Sequence, residues 1–536
     1  IDLCGILFPE MWTLFDFVLL FDLICVVHAA NILVYSPSYS ASHLMGNARI
    51  ADTLAESGHN VVMFIPEYEP IDFNRTKHAK IIKMHSISET FMQLMDEFAK
   101  GFHTIHTASI RMRLQWEYTS ADLCEEILKR RDELNQLLAY KFDIGFSEQL
   151  DLCGVGVIRY LGIPHHIWIS STPIMEAVSY NLGVPTPLSY VPVIEESNLS
   201  CRMSFMERAY NMYLWLASIY IHRRGTDLIT LKFRKYIDAN FKNVREIAAE
   251  SALCFVNSDE FLDVARPILH KTIYIGGLGV NESSKPLQEP FSTMLLKGKK
   301  GVVLFSLGTV VPSSMLLDST KQDLFKVFAH FDDYHFIMKV DENDRKSPQL
   351  AEKIANVDLV KWMPQADILG HPRLRLFVMH GGFFGMLEAA IRGVPLLAIP
   401  FFGDQFRNAR SAEMRGIGLS LQKYEMNYEK LTAAISELLN NDKYRNAAKR
   451  LSAIINSKPN KPREQLVKWT NFVAKFGSLP ELNVEGAKFD TIKYFCIDVI
   501  IVFVAILAIV FLLIISSLRL LLTTLRSNRL SLKKNE

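Results

Sequence analysis

Two runs near the C-terminal third decide how this chain is read: WMPQADIL at 362–369 and FVMHGGFFGMLEAAIRGVPLLAIPFFGDQFRNA at 377–409. The apolar run 376–379 has the length and composition of a buried parallel strand. It ends in His380-Gly381-Gly382, and a helix is expected to open at Gly385 and continue through Leu387, Glu388 and Ala389. A strand, a glycine turn and a helix N-terminus together present free backbone N–H groups to an anion. The run 394–400 reads as the next buried strand, with Asp404 and Gln405 just past its end. Ligands of open α/β sheets bind at that edge. A phosphate cradle beside an acid and an amide suits a sugar carried on a diphosphate.

Outward from this stretch the same strand–helix alternation repeats. Strand-like runs at 301–309, 334–340 and 357–361 precede it, and an amphipathic helical region at 428–476 follows. The N-terminal half starts with a strand at 31–35, a helix at 44–57 stopped by Gly58, and a strand at 61–65. Further strand-like runs stand at 142–146 and 162–168. Residues 84–140 are largely helical and rich in Met and aromatics, a composition that suits an adaptable apolar pocket as well as a core. A second helical insert at 203–241 is expected to line a ligand site or to lie against a membrane, and the proline- and lysine-bearing stretch 283–300 reads as an interdomain linker. Alternation in two halves means an α/β protein with two Rossmann-like domains.

The ordered set W-x-P-Q, H-G-G, E, G-V-P and D-Q resembles the signature of the UDP-glycosyltransferases, the family that includes the UDP-glucuronosyltransferases. The likeness extends over nearly the whole chain. It implies two Rossmann-like domains facing each other across a cleft (the GT-B arrangement) and a C-terminal transmembrane helix. On this reading 1–30 is a signal peptide, 31–282 the acceptor-binding domain, 283–300 the linker and 301–427 the UDP-sugar-binding domain. Residues 428–490 are helices bracing the N-terminal half, 499–518 the transmembrane helix and 519–536 a cytosolic basic tail.

The implied reaction is inverting transfer of glucuronic acid or glucose from UDP-glucuronate or UDP-glucose to a hydroxyl of a small lipophilic acceptor. The UDP-sugar is a co-substrate, and no cofactor or metal is expected. A base for the acceptor is needed, together with charge stabilisation for the departing diphosphate. His43 follows the first strand's loop and matches the family's catalytic histidine; imidazole titrates near neutrality. Its carboxylate partner is expected at Glu148, with Asp143 and Asp151 as nearby substitutes. On the donor side Trp362 offers a face for uracil and Gln365 a hydrogen bond to its edge or to the ribose. Glu388 matches the residue that accepts from ribose hydroxyls. His380, Gly381 and Gly382 match the diphosphate site, with Ser306 and Thr309 as weaker candidates, and Asp404 and Gln405 match the pair that binds sugar hydroxyls. Two positions depart from the family: Met379 stands where Ser or Thr is usual, and Phe384 where Asn is usual. Each lost donor to phosphate is worth about 1.5–3 kcal/mol, so attenuated or altered donor use is expected, and the alternative is a non-catalytic member that binds lipophiles or partners other glycosyltransferases.

The formal net charge of +2 gives no sign of a nucleic-acid partner. The apolar fraction of 49% is ordinary, so the positive mean hydropathy has its source at the two ends. The apolar run 12–27, interrupted by Asp16 and Asp22, ends in small residues suited to cleavage near Ala29 or Ala30. The run 499–518 has the ~20 apolar residues a bilayer span needs, and basic residues from Arg519 onward mark the cytosolic side. Lys533-Lys534 near the end resembles a dilysine retrieval signal, which implies a single-pass type I protein of the endoplasmic reticulum with a lumenal body. Sequons stand at Asn74, Asn198 and Asn281, and a disulfide among the lumenal cysteines is permitted without being indicated. Homo- or hetero-oligomers stay open.

Overall fold

The computed structural model describes residues 29–104, 107–280 and 283–532. The expected signal peptide, the Asn281 sequon and the dilysine pair lie outside the described residues. The chain forms two compact units, one reaching Leu482 and one starting at Asn483.

The first unit holds two parallel sheets. The N-terminal sheet comprises β1 (Asn31–Tyr35), β2 (Asn60–Pro66), β3 (Lys80–Met84), β4 (Ile144–Glu148), β5 (His165–Ser170), β6 (Leu253–Val256) and β7 (Thr272–Tyr274), in the order 3-2-1-4-5-6-7. The second comprises β8 (Gly301–Ser306), β9 (Tyr334–Lys339), β10 (Val357–Val360), β11 (Leu374–Met379), β12 (Leu396–Ala398) and β13 (Gly418–Ser420), in the order 10-9-8-11-12-13. Both orders reverse direction beside their first strand, β1 against β4 and β8 against β11, and loops diverge there to open a crevice. Burial of nearly every residue in β1, β4, β8 and β11 explains their continuous apolar runs, since helices cover both faces.

Some strands were not legible in the sequence. The edge strand β3 reads KIIKM, with lysines that protect an exposed edge and disguise its apolar pattern. β7, β12 and β13 have only three residues each, too few for a period to show. The run expected as a strand to Thr309 stops at Ser306, because Gly308 takes a positive φ of 83° and turns the chain.

Helices fill the insertions in the N-terminal half. α1 (Ala41–Glu56) follows β1; α2 (Thr90–Lys100) and α3 (Ile110–Lys129) lie between β3 and β4; α4 (Leu152–Tyr160) follows β4. A disulfide joins Cys124 of α3 to Cys153 of α4. α5 (Glu176–Leu182) and α6 (Phe205–Tyr236) come after β5, α6 being opened by a capping box of Ser204 and Glu207. In the second half, α7 (Asp318–His330) follows β8, α8 (Gln365–Leu369) precedes β11, and α9 (Phe383–Arg392) follows it. α10 (Gln405–Met414), α11 (Tyr428–Asn440) and α12 (Asp442–Ser457) complete that half. α13 (Pro462–Phe476) then returns to the first sheet, where Leu466 and Val473 join the apolar core beneath β1 and β2, and Arg463 pairs with Glu56 at 2.7 Å.

The second unit is dominated by α14 (Ile497–Leu532), which is long and apolar enough to cross a membrane over Ile497–Leu530. The helix extends past the 499–518 expected from hydropathy, because the flanking polar residues continue it.

The two halves of the first unit are joined by a buried ion pair. Lys458, at the end of α12, donates to Asp259 after β6 at 2.6 Å, and neither side chain exposes more than 4% of its surface. Removing one member of such a pair strands a charge away from water. Lys458→Ala is expected to cost about 3–5 kcal/mol of stability, read by thermal unfolding of the detergent-extracted protein. Adding Asp259→Ala should recover part of that loss; an additive double mutant would contradict the pairing.

Candidate active site

His43 and Glu148 come from the two strands that flank the first sheet's switch point. β1 ends at Tyr35, and its loop delivers Ser40, whose hydroxyl caps α1 by accepting the His43 N–H at 3.5 Å. Glu148 is the last residue of β4, which pairs with β1. The His43 Nδ1 lies 2.6 Å from Glu148 Oε1. Glu148 has no exposed surface, and its oxygens also accept from Ser171 Oγ at 2.6 Å and Asn47 Nδ2 at 3.4 Å. A carboxylate acceptor at Nδ1 assigns the proton there and leaves Nε2 with a lone pair. Burial works to lower the His43 pKa, but the Glu148 carboxylate, with Asp404 beyond it, outweighs that and holds it above the ordinary value. Burial likewise opposes ionisation of Glu148, yet His43, Ser171 and Asn47 together hold its pKa below the usual carboxylate range.

The two other carboxylates near Glu148 are engaged elsewhere. Asp143, at the opposite end of β4, accepts the Asn31 N–H at 2.8 Å. Asp151 caps α4 through the Cys153 N–H at 2.8 Å and accepts the Tyr68 hydroxyl at 2.8 Å; burial pushes its pKa up to about 6.

Across the cleft, the second sheet's switch point presents its own turns. The helix after Gly382 opens at Phe383, two residues earlier than expected, with Gly382 as an uncapped N-cap. Among the described residues no N-cap side chain satisfies its first amide groups, and uncapped helix N-termini are suited to anions. The half-buried His380 ring lies between the Gly308 and Gly382 turns, where a Cβ at either position would come within 2.5 Å of an imidazole atom. Burial, with the Lys339 charge nearby, pushes the His380 pKa down to about 4 against a backbone hydrogen bond at Ser306, so the ring is neutral. Gly381, at a φ of 86°, passes close to the Gln405 carbonyl.

A cavity of about 500 Å³ joins these pieces. Its lining contains Ser306, Trp362, Gln365, His380, Gly382, Glu388, Asp404 and Gln405, together with His43 from the other half. Gly381 is buried behind it. Gln365 Nε2 donates to Glu388 Oε2 at 2.8 Å, and Arg49 of α1 reaches Glu388 Oε1 at 3.2 Å. Trp362 is 57% exposed, with the Arg75 guanidinium 5.6 Å from its ring centre. Ser306 accepts the Gly308 N–H at 3.3 Å. Gln405 Oε1 accepts the Phe401 and Phe402 amides at 2.8 and 3.3 Å, so its carbonyl shapes the turn that carries Asp404. Asp404 accepts from Asn408 at 2.6 Å, and burial raises its pKa.

Sequence reasoning missed Lys339. It ends β9, lines the same cavity and donates to the Gly308 carbonyl at 2.9 Å, while burial lowers its pKa. A lone lysine at the C-terminal end of a strand was the available signal. Met379 is fully buried, and Phe384 crosses the cleft: its ring tip would be 2.6 Å from a Cβ at Gly46 of α1. The glycine makes room for that ring.

A second cavity, of about 250 Å³, lies on the other side of His43. Met95, Phe98, Met112 and Trp116 from α2 and α3, and Ile221 and Ile229 from α6, form its apolar wall. His43, Thr172, Val310, Phe402 and Asp404 line both cavities, so the imidazole stands where they meet. The helical insert thus lines a site with one face, while Phe205, Met206, Tyr213 and Tyr220 are exposed on α6.

Comparison with known proteins agrees with this geometry. The family profile described as "UDP-glucoronosyl and UDP-glucosyl transferase" matches residues 30–529. The Caenorhabditis elegans protein ugt-48, provisionally named a UDP-glucuronosyltransferase, is 36% identical over 92% of this chain and 95% of its own length. UDP-glucuronosyltransferase 3A1 of Mus musculus is 30% identical over 88% of this chain and 89% of its own. Among solved structures, the calicheamicin glycosyltransferase CalG4 superposes with a TM-score of 0.55 at 16% identity, over 84% of this chain and 99% of that one. A UDP-glucosyltransferase from Polygonum tinctorium gives 0.55 at 15% identity, over 83% and 99%. These structures share the fold of two facing Rossmann-like domains.

The His43–Glu148 pair has a pH signature of its own. A raised histidine pKa contributes stability fully present below about 6.5 and lost as pH rises through the folded value. A depressed carboxylate contributes stability present above about 4.3 and lost as pH falls through its folded value. Glu148→Gln should therefore lower the melting temperature most between those limits and less at pH 9. An equal loss at every pH would mean the pair is not charged in the folded protein.

Proposed function

Since the chain belongs to the UDP-glucuronosyl and UDP-glucosyl transferase family, it is an enzyme that transfers a sugar from a UDP-sugar, and we propose that His43 is the general base of an inverting transfer to a hydroxyl of a small lipophilic acceptor. The observation that carries this reading is the 2.6 Å contact between His43 and the buried Glu148 at the junction of the two cavities. His43 Nε2 takes the proton of the acceptor hydroxyl. The oxygen attacks the anomeric carbon from the face opposite UDP, and the bond from that carbon to the diphosphate breaks with its electron pair leaving on UDP. Glu148 holds the ring in the Nδ1–H form and stabilises the imidazolium, which returns its proton to solvent. The free amides of α9 and the Lys339 ammonium compensate the charge on the departing diphosphate. Glu388 receives the ribose hydroxyls, Trp362 stacks the uracil, and Asp404 with Gln405 holds the sugar hydroxyls. The donor is UDP-glucuronate or UDP-glucose, which share the groups this cavity addresses.

The base must be neutral to act, so transfer is lost as pH falls through the raised His43 pKa, and the acid limb of kcat lies above the ordinary histidine value. His43→Ala should lower kcat by about 10²–10⁴-fold while UDP still binds in calorimetry. Glu148→Gln should lower kcat and move the acid limb to lower pH. Full transfer by His43→Ala would remove the proposed base. Failure of the wild type to bind millimolar UDP would favour the non-catalytic reading, for which the apolar Met379 and Phe384 at the donor cavity are the evidence.

The anchor reading places the body in the lumen of the endoplasmic reticulum with α14 spanning the bilayer. Asn74 is exposed and suited to glycosylation, whereas Asn198 has a buried Oδ1. Protease added outside intact microsomes should trim only a few C-terminal residues. Cleavage within 362–409 under those conditions would overturn the lumenal assignment.

A further inference from the structure

The smaller cavity is not lined as a purely lipophilic acceptor requires. Besides its apolar residues the lining carries Glu117, Glu176, Glu195, Glu196 and Asp404. Arg113 is the cation among its lining residues: it pairs with Glu195, donates to Ser218 Oγ at 2.9 Å, and its charge also faces Glu176, Glu196 and Glu117. His43 is tied to Glu148, and burial pushes the His222 pKa down to about 3, leaving that ring neutral. Among the described residues, Glu117, Glu176 and Glu196 therefore have no salt-bridge partner.

Glu176 is the sharpest case. It is 1% exposed; Oε1 accepts the Ile194 N–H at 3.0 Å, and among the described residues Oε2 has no hydrogen-bond partner. Glu117, one turn after Arg113 on α3, has its carboxylate against Gly225 of α6, where any Cβ would collide with it. Burial raises the pKa of Glu117 to about 8 despite Arg113, and burial raises Glu176, Glu196 and Asp404 as well. These are desolvated carboxyls; Arg113 acts on Glu117, Arg266 and Arg407 on Glu176, and Lys423 with Arg113 on Glu196, but among the described residues none of these cations comes within salt-bridge distance of them. Beside them, Trp116 stacks on Tyr39 with ring centres 5.7 Å apart, and both rings line the cavity. Aromatic faces next to buried carboxylates are the chemistry that recognises an organic cation.

We propose that the acceptor carries a protonated amine: the cavity takes a hydroxylated lipophilic amine whose body lies against Trp116 and Phe98, whose ammonium is held by Glu117 and Glu176, and whose hydroxyl reaches His43. The inference rests on the acceptor role assigned to this cavity under the proposed function. It also means that an acceptor with a carboxylate at its far end is rejected by like charge.

The test uses three phenols that differ only at the far end: tyramine, 4-ethylphenol and 3-(4-hydroxyphenyl)propionate. With the full-length protein in microsomes and each UDP-sugar, kcat/KM for tyramine should exceed that for 4-ethylphenol by about tenfold or more, and the propionate should be poorest. Glu117→Gln and Glu176→Gln should each shrink the tyramine to 4-ethylphenol ratio by about tenfold. Glutamine keeps the oxygen that accepts the Ile194 N–H, so the second variant guards against loss of folding. A wild-type ratio at or below one, or a ratio unchanged in both variants, overturns the proposal and leaves the general-base reading standing. If no phenol is turned over, the proposed function is what has failed. Calorimetry of tyramine and 4-ethylphenol with the solubilised full-length protein and UDP then still decides, since equal or weaker binding of the amine overturns the inference.

Discussion

A carboxylate with no exposed surface must find its compensation inside the protein, and Glu148 imposes that requirement on the centre of this molecule. Three donors meet it: the His43 imidazole, the Ser171 hydroxyl and the Asn47 amide. Two of these, His43 and Asn47, lie one turn apart on α1, so the carboxylate fixes the rotation of that helix against β4. Ser40 then caps the helix at the residue needed to leave His43 in its first turn. Arg49, further along α1, meets Glu388 of the other half. One buried charge thus orients the helix that forms one wall of the cleft.

The two halves meet through the packing of Phe98 and Phe102 on Phe401 and Phe402 and through polar contacts. The segment bearing Glu196 exchanges two hydrogen bonds with Gly403, Glu196 N–H to the Gly403 carbonyl at 2.9 Å and Gly403 N–H to Glu196 Oε1 at 2.7 Å. Gly403 precedes Asp404, so a loop of the acceptor half steadies the residue at the junction of both cavities. Lys458 with Asp259 closes the far side. Buried polar contacts of this kind are directional, and they hold two domains in register where apolar packing alone would permit sliding.

The donor cavity shows a different balance. His380 is neutral in its slot between two glycine turns, and Lys339 donates to the turn before it. Met379 and Phe384 leave backbone amides and the Lys339 ammonium as the positive groups along this stretch of the cavity lining. Phe384 instead spends its side chain on contact with Gly46 across the cleft, which couples the diphosphate turn to the helix that carries His43.

The sequence by itself determined the two parallel α/β halves, because long apolar runs that alternate with amphipathic ones have one way to bury both faces of a sheet. It also pointed to the turn after β11, because glycines at a strand–helix turn serve close backbone approach. The apolar tail helix was legible from length alone, although its polar ends were not. What only the tertiary structure decided are relations between distant residues. His43 and Glu148 are 105 positions apart; the family resemblance pointed to Glu148 with Asp143 and Asp151 as substitutes, and strand pairing put Glu148 beside the ring and turned the others to a backbone amide and a helix cap. Lys339 and the glutamates of the smaller cavity stayed hidden for the same reason. A single charged residue on a strand end or helix has no periodic signature, and its meaning comes from what the fold brings opposite it.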